Sequence, residues 1–347
     1  MIAARDQFEF TEAPTDDVGA SFIFPPTERN LAAAARTLRN GGLVAIPTET
    51  VYGLAADALN ETACRNIFEL KGRPLIDPLI VHLSELEHVH ELSIWTEMAK
   101  ALADAFIPGA LTLILEKKPC VPDIVTAGKP SIAIRLPSHP IFRALSNKAR
   151  APLAAPSANP FSYVSPSTAE HVLRSFPNAG LPILQGGPCK IGIESTIVDV
   201  RDPRKPILLR HGDIQKHQLE KALGISVTDK TDFTPKDKNE ALLAPGSLAR
   251  HYSPKTPTYL LQTSAIHEAQ IAGQARVYFE KPADSASAEN IFWLSEDGDT
   301  QTAQRSLYSL LRSLDEDKKV LQILIELPTP TAANTALIDR LQRAASK

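Results

Sequence analysis

The sequence predicts an α/β protein, with helices packed around a twisted mixed sheet and a smaller C-terminal α/β domain after it. Three observations carry this. Capped helical patterns alternate with short apolar runs along the chain. That alternation breaks once, in a polar stretch over 226–254. A length of 347 residues, 43% of them apolar and 22% charged, supplies more core material than one ordinary domain needs.

Taken in order, residues 1–25 hold Asp6, Glu9, Glu12, Asp16 and Asp17 without a continuous apolar stretch, so they read as a polar extension rather than a signal peptide. Thr27 caps a helix over 28–40 that Gly41 and Gly42 close, and 43–47 follows as a buried strand. Asn60 caps the next helix, which stops at Lys71-Gly-Arg-Pro74 ahead of an apolar strand over 79–83. The spacing then predicts helices over 96–106, 140–149, 168–176 and 214–223, and strands over 111–116, 131–136, 181–184, 195–200 and 206–209. These elements make a first domain over 26–225. Residues 226–254 read as a linker. Beyond it, strands over 258–261, 276–279, 291–294 and 321–327, with helices near His267, over 303–314 and from Ala332, define a second domain over 255–347. Strand order is not legible at this level, because a short apolar run carries a period but no partner.

Composition narrows the function. A formal charge of −3 creates no global field for a polyanion, so any contact with a nucleotide or nucleic acid must be local. No apolar run approaches the roughly 20 residues of a bilayer-spanning helix, and a cytoplasmic location without membrane partners is expected. Cys64, Cys120 and Cys189 are too widely spaced for a disulfide framework or a zinc ribbon and read as free thiols.

Polar, Gly and Pro residues gather just past the apolar strands, where open α/β sheets place ligands. Thr48-Glu-Thr-Val-Tyr-Gly53 combines two hydroxyls, a carboxylate and a phenol, and also fits a plain strand-to-helix turn. Lys71 and Arg73, held by Gly72 and Pro74, could grip phosphates; cations at a helix C-terminus are equally expected from its dipole. His82 lies inside an apolar strand, as a core histidine or a binding group. Arg135 ends a strand, where its planar fork needs either a structural carboxylate or that of an amino acid. Ala155-Pro-Ser-Ala-Asn159, Ser165-Pro166 and Gly192-Ile-Glu-Ser-Thr196 add hydroxyls, an amide and flexible backbone, and Arg210 follows an apolar strand. Neither a P-loop nor a G-x-G-x-x-G string occurs, and no His/Cys cluster suggests zinc, so the metal ligands stay unassigned. From residue chemistry alone the chain is an anion-binding α/β enzyme.

The order of nine strings is more specific than any one of them. Pro47-Thr-Glu-Thr-Val-Tyr-Gly-Leu54, Lys71-Gly-Arg-Pro74 with Pro78-Leu-Ile-Val-His82, Pro108-Gly-Ala-Leu-Thr112 and Ile132-Ala-Ile-Arg-Leu-Pro137 come first. Pro156-Ser-Ala-Asn159, Ser165-Pro166, Gly192-Ile-Glu-Ser-Thr196, Leu209-Arg210 and Pro245-Gly246 with His251-Tyr252 complete the series. Together they resemble the threonylcarbamoyl-AMP synthase family, the YrdC-like proteins, in the longer form with an extra C-terminal domain. The resemblance implies a YrdC-like sheet with a deep cleft, a smaller Rossmann-like α/β domain, and a Mg2+-assisted nucleotidyltransferase that makes threonylcarbamoyl-AMP from ATP, L-threonine and bicarbonate. It also implies that the product passes to a partner threonylcarbamoyl transferase, which modifies the adenosine beside the anticodon in tRNAs reading ANN codons. By the same similarity Thr50, His82, Arg135, Ala155 and Ser195 hold threonine, with Ala155 acting through its backbone. Arg73, Asp77, Ser131, Ser157, Asn159, Ser165, Arg210 and His251 hold ATP, Lys71 and Arg73 are the catalytic cations, and the 226–254 segment is a lid over the cleft.

Three positions depart from the family pattern: Ile76-Asp77, Gln185 ahead of Gly186, and Phe161-Ser-Tyr163. Asp77 adds negative charge beside a nucleotide unless it faces a metal. A noncatalytic RNA-binding module is the rival from another class, and it lacks its usual aromatic-plus-basic strings here. The carbamoyl-transfer enzyme of hydrogenase maturation, a second rival, brings Cys-x-x-Cys pairs that this chain lacks.

Overall fold

Side-chain caps set where the helices begin, and the computed structural model shows them at Thr27, Asn60, Thr96 and Thr168, each accepting a backbone N–H three residues on. It describes residues 22–230, 242, 244–245, 251–261, 271–282 and 290–346. The first part runs β1 (Ile23–Phe24), α1 (Glu28–Arg39), β2 (Val44–Ile46), β3 (Gly53–Asp57), α2 (Glu61–Lys71), β4 (Ile80–His82), α3 (Val89–Leu92), β5 (Ser93–Ile94), α4 (Glu97–Phe106) and β6 (Leu111–Lys117). It continues with α5 (Asp123–Thr126), β7 (Ser131–Arg135), α6 (Pro140–Ala149), β8 (Leu153–Ala154), α7 (Ala169–Ser175), β9 (Ile183–Leu184), β10 (Thr196–Asp199), β11 (Ile207–Arg210), α8 (Lys216–Leu223) and β12 (Thr228–Asp229). The second part holds β13 (Thr258–Leu261), β14 (Gln274–Glu280), β15 (Ile291–Ser295), α9 (Thr300–Glu316), β16 (Gln322–Glu326) and α10 (Thr335–Ala344).

Among the described residues the first part forms one 12-stranded sheet in the order β1-β9-β2-β3-β8-β4-β7-β6-β10-β11-β12, with β5 on β6. Its pairings are mixed: β4 and β7 run parallel, β6 and β7 antiparallel, β6 and β10 parallel, β10 and β11 antiparallel. The second part is a separate four-stranded parallel sheet, β13-β16-β14-β15. One apolar cluster joins Leu54, Ile67, Leu102 and Leu113 to α2 and α4, while another lies under α1 and α6 through Leu38, Ile46, Phe142 and Leu145. A third cluster spans both sheets, packing Val51, Val164 and Ile193 of the first against Leu307, Tyr308 and Leu337 of the second. Burial of that kind resists separation of the two parts.

Several expectations are corrected. Ile23 and Phe24, grouped with the polar extension, pair in parallel with Ile183 and Leu184, and Phe24 is buried. The segment from Thr48 to Gly53 does not lead into a helix; it turns between antiparallel β2 and β3, with the Thr48 hydroxyl donating to Val51 O at 2.7 Å. The two-residue strands β5, β8 and β12 are too short to show a period. Residues 1–21, most of the linker and the helix expected near His267 lie outside the described residues.

Candidate active site

Neighbouring strand ends bring the site together. His82 ends β4 and Arg135 ends β7, and these two residues are directly paired across the sheet; on the other side Arg135 faces Thr112 of β6. Ser195 stands in the turn before β10, and Arg210 ends the antiparallel β11. Gly72, in the left-handed region at φ 64°, stops α2 and turns the chain so that Arg73 enters the same space. Gly212 allows the tightest approach: a Cβ there would lie 2.3 Å from Thr196 N and 2.6 Å from Ser195 C.

A cavity of about 50 Å3 results, and Thr50, Arg73, His82, Arg135, Ala155, Ser157, Glu194, Arg210 and His251 are on its wall. Three guanidinium groups from distant parts of the chain therefore share one cavity. Arg135 donates from Nη1 to Thr50 Oγ1 and from Nη2 to Glu49 Oε1, both at 2.7 Å, and from Nε to Gly109 O at 3.3 Å. A guanidinium has five N–H donors, so two remain for a ligand among the described residues. Arg210 donates to Ser195 O (2.9 Å), Ser195 Oγ (3.0 Å) and Pro245 O (3.2 Å). The Ser195 hydroxyl also lies 2.7 Å from Thr112 Oγ1.

Arg73 donates to Asp77 O (3.0 Å) and Pro78 O (2.7 Å), and its Nη2 stands 3.0 Å from Asp77 Oδ1 without the alignment of a hydrogen bond. Both carboxylate oxygens of Asp77 thus lack a donor among the described residues although the side chain is buried. Lys71 is buried behind the cavity and donates to Ser157 O (2.6 Å) and Asn159 O (2.5 Å). It does not reach the wall itself; it braces the 157–159 loop. Ala155 gives its N–H to Ile80 O at 3.1 Å, so a backbone contact to ligand must use its carbonyl. Ser165 and Asn159 also stand one layer back: the Ser165 hydroxyl donates to Glu194 Oε1 at 2.7 Å, and the Asn159 amide donates to Pro160 O and Tyr163 O, both at 2.8 Å. Ser131 departs from the expected cluster. It opens β7, four residues from Arg135, or about 13 Å along an extended strand, and is not on the cavity wall.

The electrostatics follow from burial. His82 is pushed down to about 3 by burial, with the Arg135 guanidinium adding to the effect, and its Nδ1 donates to Ile80 O at 3.1 Å. His251 is likewise lowered to about 3, chiefly by burial. Both imidazoles are neutral near pH 7. Lys71 falls well below the usual lysine range through burial and the charge of Arg73, while burial raises Asp77 against the pull of Arg73 and Lys71. For Glu194, burial alone would raise the carboxyl, but Arg340, Arg210 and the Ser165 bond hold it down at about 2. Buried side-chain atoms without a hydrogen-bond partner among the described residues are Glu49 Oε2, both Asp77 oxygens, Asn159 Oδ1, His251 Nδ1 and Tyr252 OH. All belong to residues that line this cavity or touch those that do, the pattern expected where a polar ligand binds.

The 226–254 segment meets the cleft where it is described: Leu242 N donates to Ile76 O at 2.9 Å, Pro245 O accepts from Arg210, and His251 and Tyr252 are on the wall. Sequence reasoning assigned no role to Glu49 or Glu194, and named Tyr252 only as part of the lid. The first two sit inside strings singled out for their neighbours, so a carboxylate beside Thr50 or Ser195 was the available signal. Tyr308 and Arg340 gave none, since an arginine on an amphipathic helix reads as solvated.

Comparisons agree in both halves of the chain. A family model described as telomere recombination (Sua5, YciO and YrdC) matches residues 36–212, and one described as the threonylcarbamoyl-AMP synthase C-terminal domain matches 214–346. The chain is 40% identical over 328 residues to the threonylcarbamoyl-AMP synthase of Bacillus subtilis, covering 91% of this chain and 92% of the relative. It is 36% identical over 332 residues to that of Pyrococcus abyssi, covering 91% and 94%. The crystal structure of Pyrococcus abyssi Sua5 complexed with L-threonine superposes with a TM-score of 0.81 at 33% identity, covering 93% of this chain and 97% of that one.

Proposed function

This chain belongs to the threonylcarbamoyl-AMP synthase family, and from that premise we propose how its cleft works. The protein is a nucleotidyltransferase that forms L-threonylcarbamoyladenylate and pyrophosphate from L-threonine, bicarbonate and ATP. The observation that carries the site reading is the convergence of Arg73, Arg135 and Arg210 on one cavity.

In this reading Arg135 takes the threonine carboxylate with its two remaining donors, Thr50, the neutral His82 and the Ala155 carbonyl surround the amino acid, and Ser195, buried behind the wall and bonded to Arg210 and Thr112, backs the same side. Arg73 and Arg210 take the phosphates of ATP, with Ser157 and His251 around them, Asn159 and Ser165 supporting that wall from one layer back, and Ser131 farther along the same sheet face. Lys71 acts by holding the 157–159 loop. The threonine amine and bicarbonate condense to a carbamate with loss of water; a carbamate oxygen then attacks the α-phosphorus, and pyrophosphate leaves with the bonding electrons. Such a displacement needs positioning and neutralised phosphate charge rather than a covalent nucleophile.

Asp77 suits a Mg2+ ion, which takes oxygen ligands and commonly combines one or two carboxylates with substrate phosphates. Its two oxygens, neither of which accepts a hydrogen bond among the described residues, would hold it together with substrate phosphates, and no group of three or more His, Cys, Asp or Glu side chains suited to a metal occurs among those residues. When bound, the ion supplies charge neutralisation on the phosphates. The linker that follows β12 serves as a lid that keeps water from the adenylate, between a synthase domain that includes β1 and β12 and a second domain over 255–347. The product goes to a threonylcarbamoyl transferase acting on tRNA, in the cytoplasm; no described helix is long and apolar enough to cross a membrane.

The test is mass spectrometry of protein incubated with ATP, Mg2+, bicarbonate and one amino acid at a time. Threonylcarbamoyl-AMP is expected with threonine and bicarbonate together. Its absence under those conditions, or equal yield with unrelated amino acids, overturns the reading.

A further inference from the structure

Two residues of the second domain, Tyr308 and Arg340, meet a carboxylate on the wall of the cleft. Glu194 lines the cavity beside Ser195 and is only 7% exposed. Its Oε1 accepts from the Ser165 hydroxyl at 2.7 Å; its Oε2 accepts from the Tyr308 hydroxyl of α9 at 2.8 Å and from Arg340 Nε of α10 at 2.9 Å. Arg340 has no exposed surface, donates through Nη2 to His211 O at 2.9 Å and stacks 5.1 Å from the centre of the Tyr252 ring. Its Nη1 is held by Asp339 at 2.5 Å.

On a wall that presents Arg73, Arg135 and Arg210, Glu194 is the carboxylate lining the cavity among the described residues. Unpaired, it would repel a triphosphate and draw Arg210 to itself. Instead Arg210 directs its donors to Ser195 and Pro245 and acts on Glu194 only through space, while the direct ion pair of Glu194 comes from the other domain. We propose that Arg340 and Tyr308 are positioning residues of the nucleotide subsite: they neutralise and orient Glu194, which fixes the Ser165 hydroxyl and leaves Arg210 to the phosphates. The C-terminal domain is thereby part of the ATP site and not only an anchor for the lid. This inference rests on the assignment of that subsite to ATP.

Binding of a nonhydrolysable ATP analogue and of L-threonine, measured separately by calorimetry on the full chain, tests it alongside thermal unfolding. Arg340→Ala should weaken the analogue about tenfold to a hundredfold while threonine affinity changes by less than about twofold, as for removal of one partner of a buried charged hydrogen bond. Adding Glu194→Gln to Arg340→Ala should recover most of the loss, because the uncompensated charge is then gone. Arg340→Lys and Tyr308→Phe, gentler to the fold, should give smaller losses of the same kind. Equal weakening of both ligands across these variants, or no recovery in the double variant, overturns the inference. Wild-type protein that binds threonine but not the analogue overturns the assignment of the subsite as well.

Discussion

Arg73 and Arg210 donate to backbone carbonyls that the folded chain fixes, so each guanidinium is oriented before any ligand arrives. Preorganised cations of this kind contribute most where charge moves during reaction. Arg73→Ala or Arg210→Ala should each lower kcat for pyrophosphate release by about a hundredfold or more. Arg135→Lys should act differently, raising KM for threonine while a point charge replaces the planar fork. Pyrophosphate-coupled kinetics at varied threonine and ATP distinguish the two patterns. Titration adds a further expectation. His82 and His251 bind protons only near pH 3 in the folded protein, against an ordinary value of 6.5. The unfolded chain therefore takes up more protons between pH 6.5 and about 3, and stability falls as pH drops through that window. His251→Asn should flatten the decline of Tm between pH 6.5 and 4, measured by circular dichroism.

At the scale of elements, the site depends on where strands stop. β4, β7 and β11 each end on a residue that lines the cavity, His82, Arg135 and Arg210, while β10 begins just after Ser195. The approach of the 211–213 turn to the 194–196 turn holds that end of the sheet, and Gly212 is what permits it. Gly212→Ala places a methyl against backbone that cannot yield locally, so it should cost about 2 kcal/mol or more of stability and shift Ser195 and Arg210 together. Denaturant unfolding and the KM for ATP provide the measurements.

Across the whole molecule, the two sheets are tied by more than the linker. Arg312 of α9 is buried and donates to Val164 O (2.5 Å), Ser165 O (3.3 Å), His171 O (3.2 Å) and Ser175 Oγ (3.1 Å), with its guanidinium 4.8 Å from the centre of the Tyr163 ring. The Gly192 turn lies against the backbone of α9, where a Cβ would come within 2.6 Å of Arg305 Cα. The two parts should unfold in one calorimetric transition. Arg312→Ala leaves several buried carbonyls without a donor, a cost of about 2–4 kcal/mol, and should split that transition into two.

By itself the sequence determined the α/β class, most helix starts and the binding strings, because caps, glycine stops and apolar periods act between residues close along the chain. Thr27 and Asn60 cap where their hydroxyl and amide oxygens suggest. The family resemblance brought the site residues to notice in order, but not their distances. Only the tertiary structure decided the strand order, the placement of Ser131 away from the cavity wall, and the burial of Arg340 against Glu194. Those are contacts between residues far apart in sequence: Glu194 and Arg340 are 146 positions apart, and no local pattern distinguishes an arginine bound for solvent from one that neutralises a buried carboxylate.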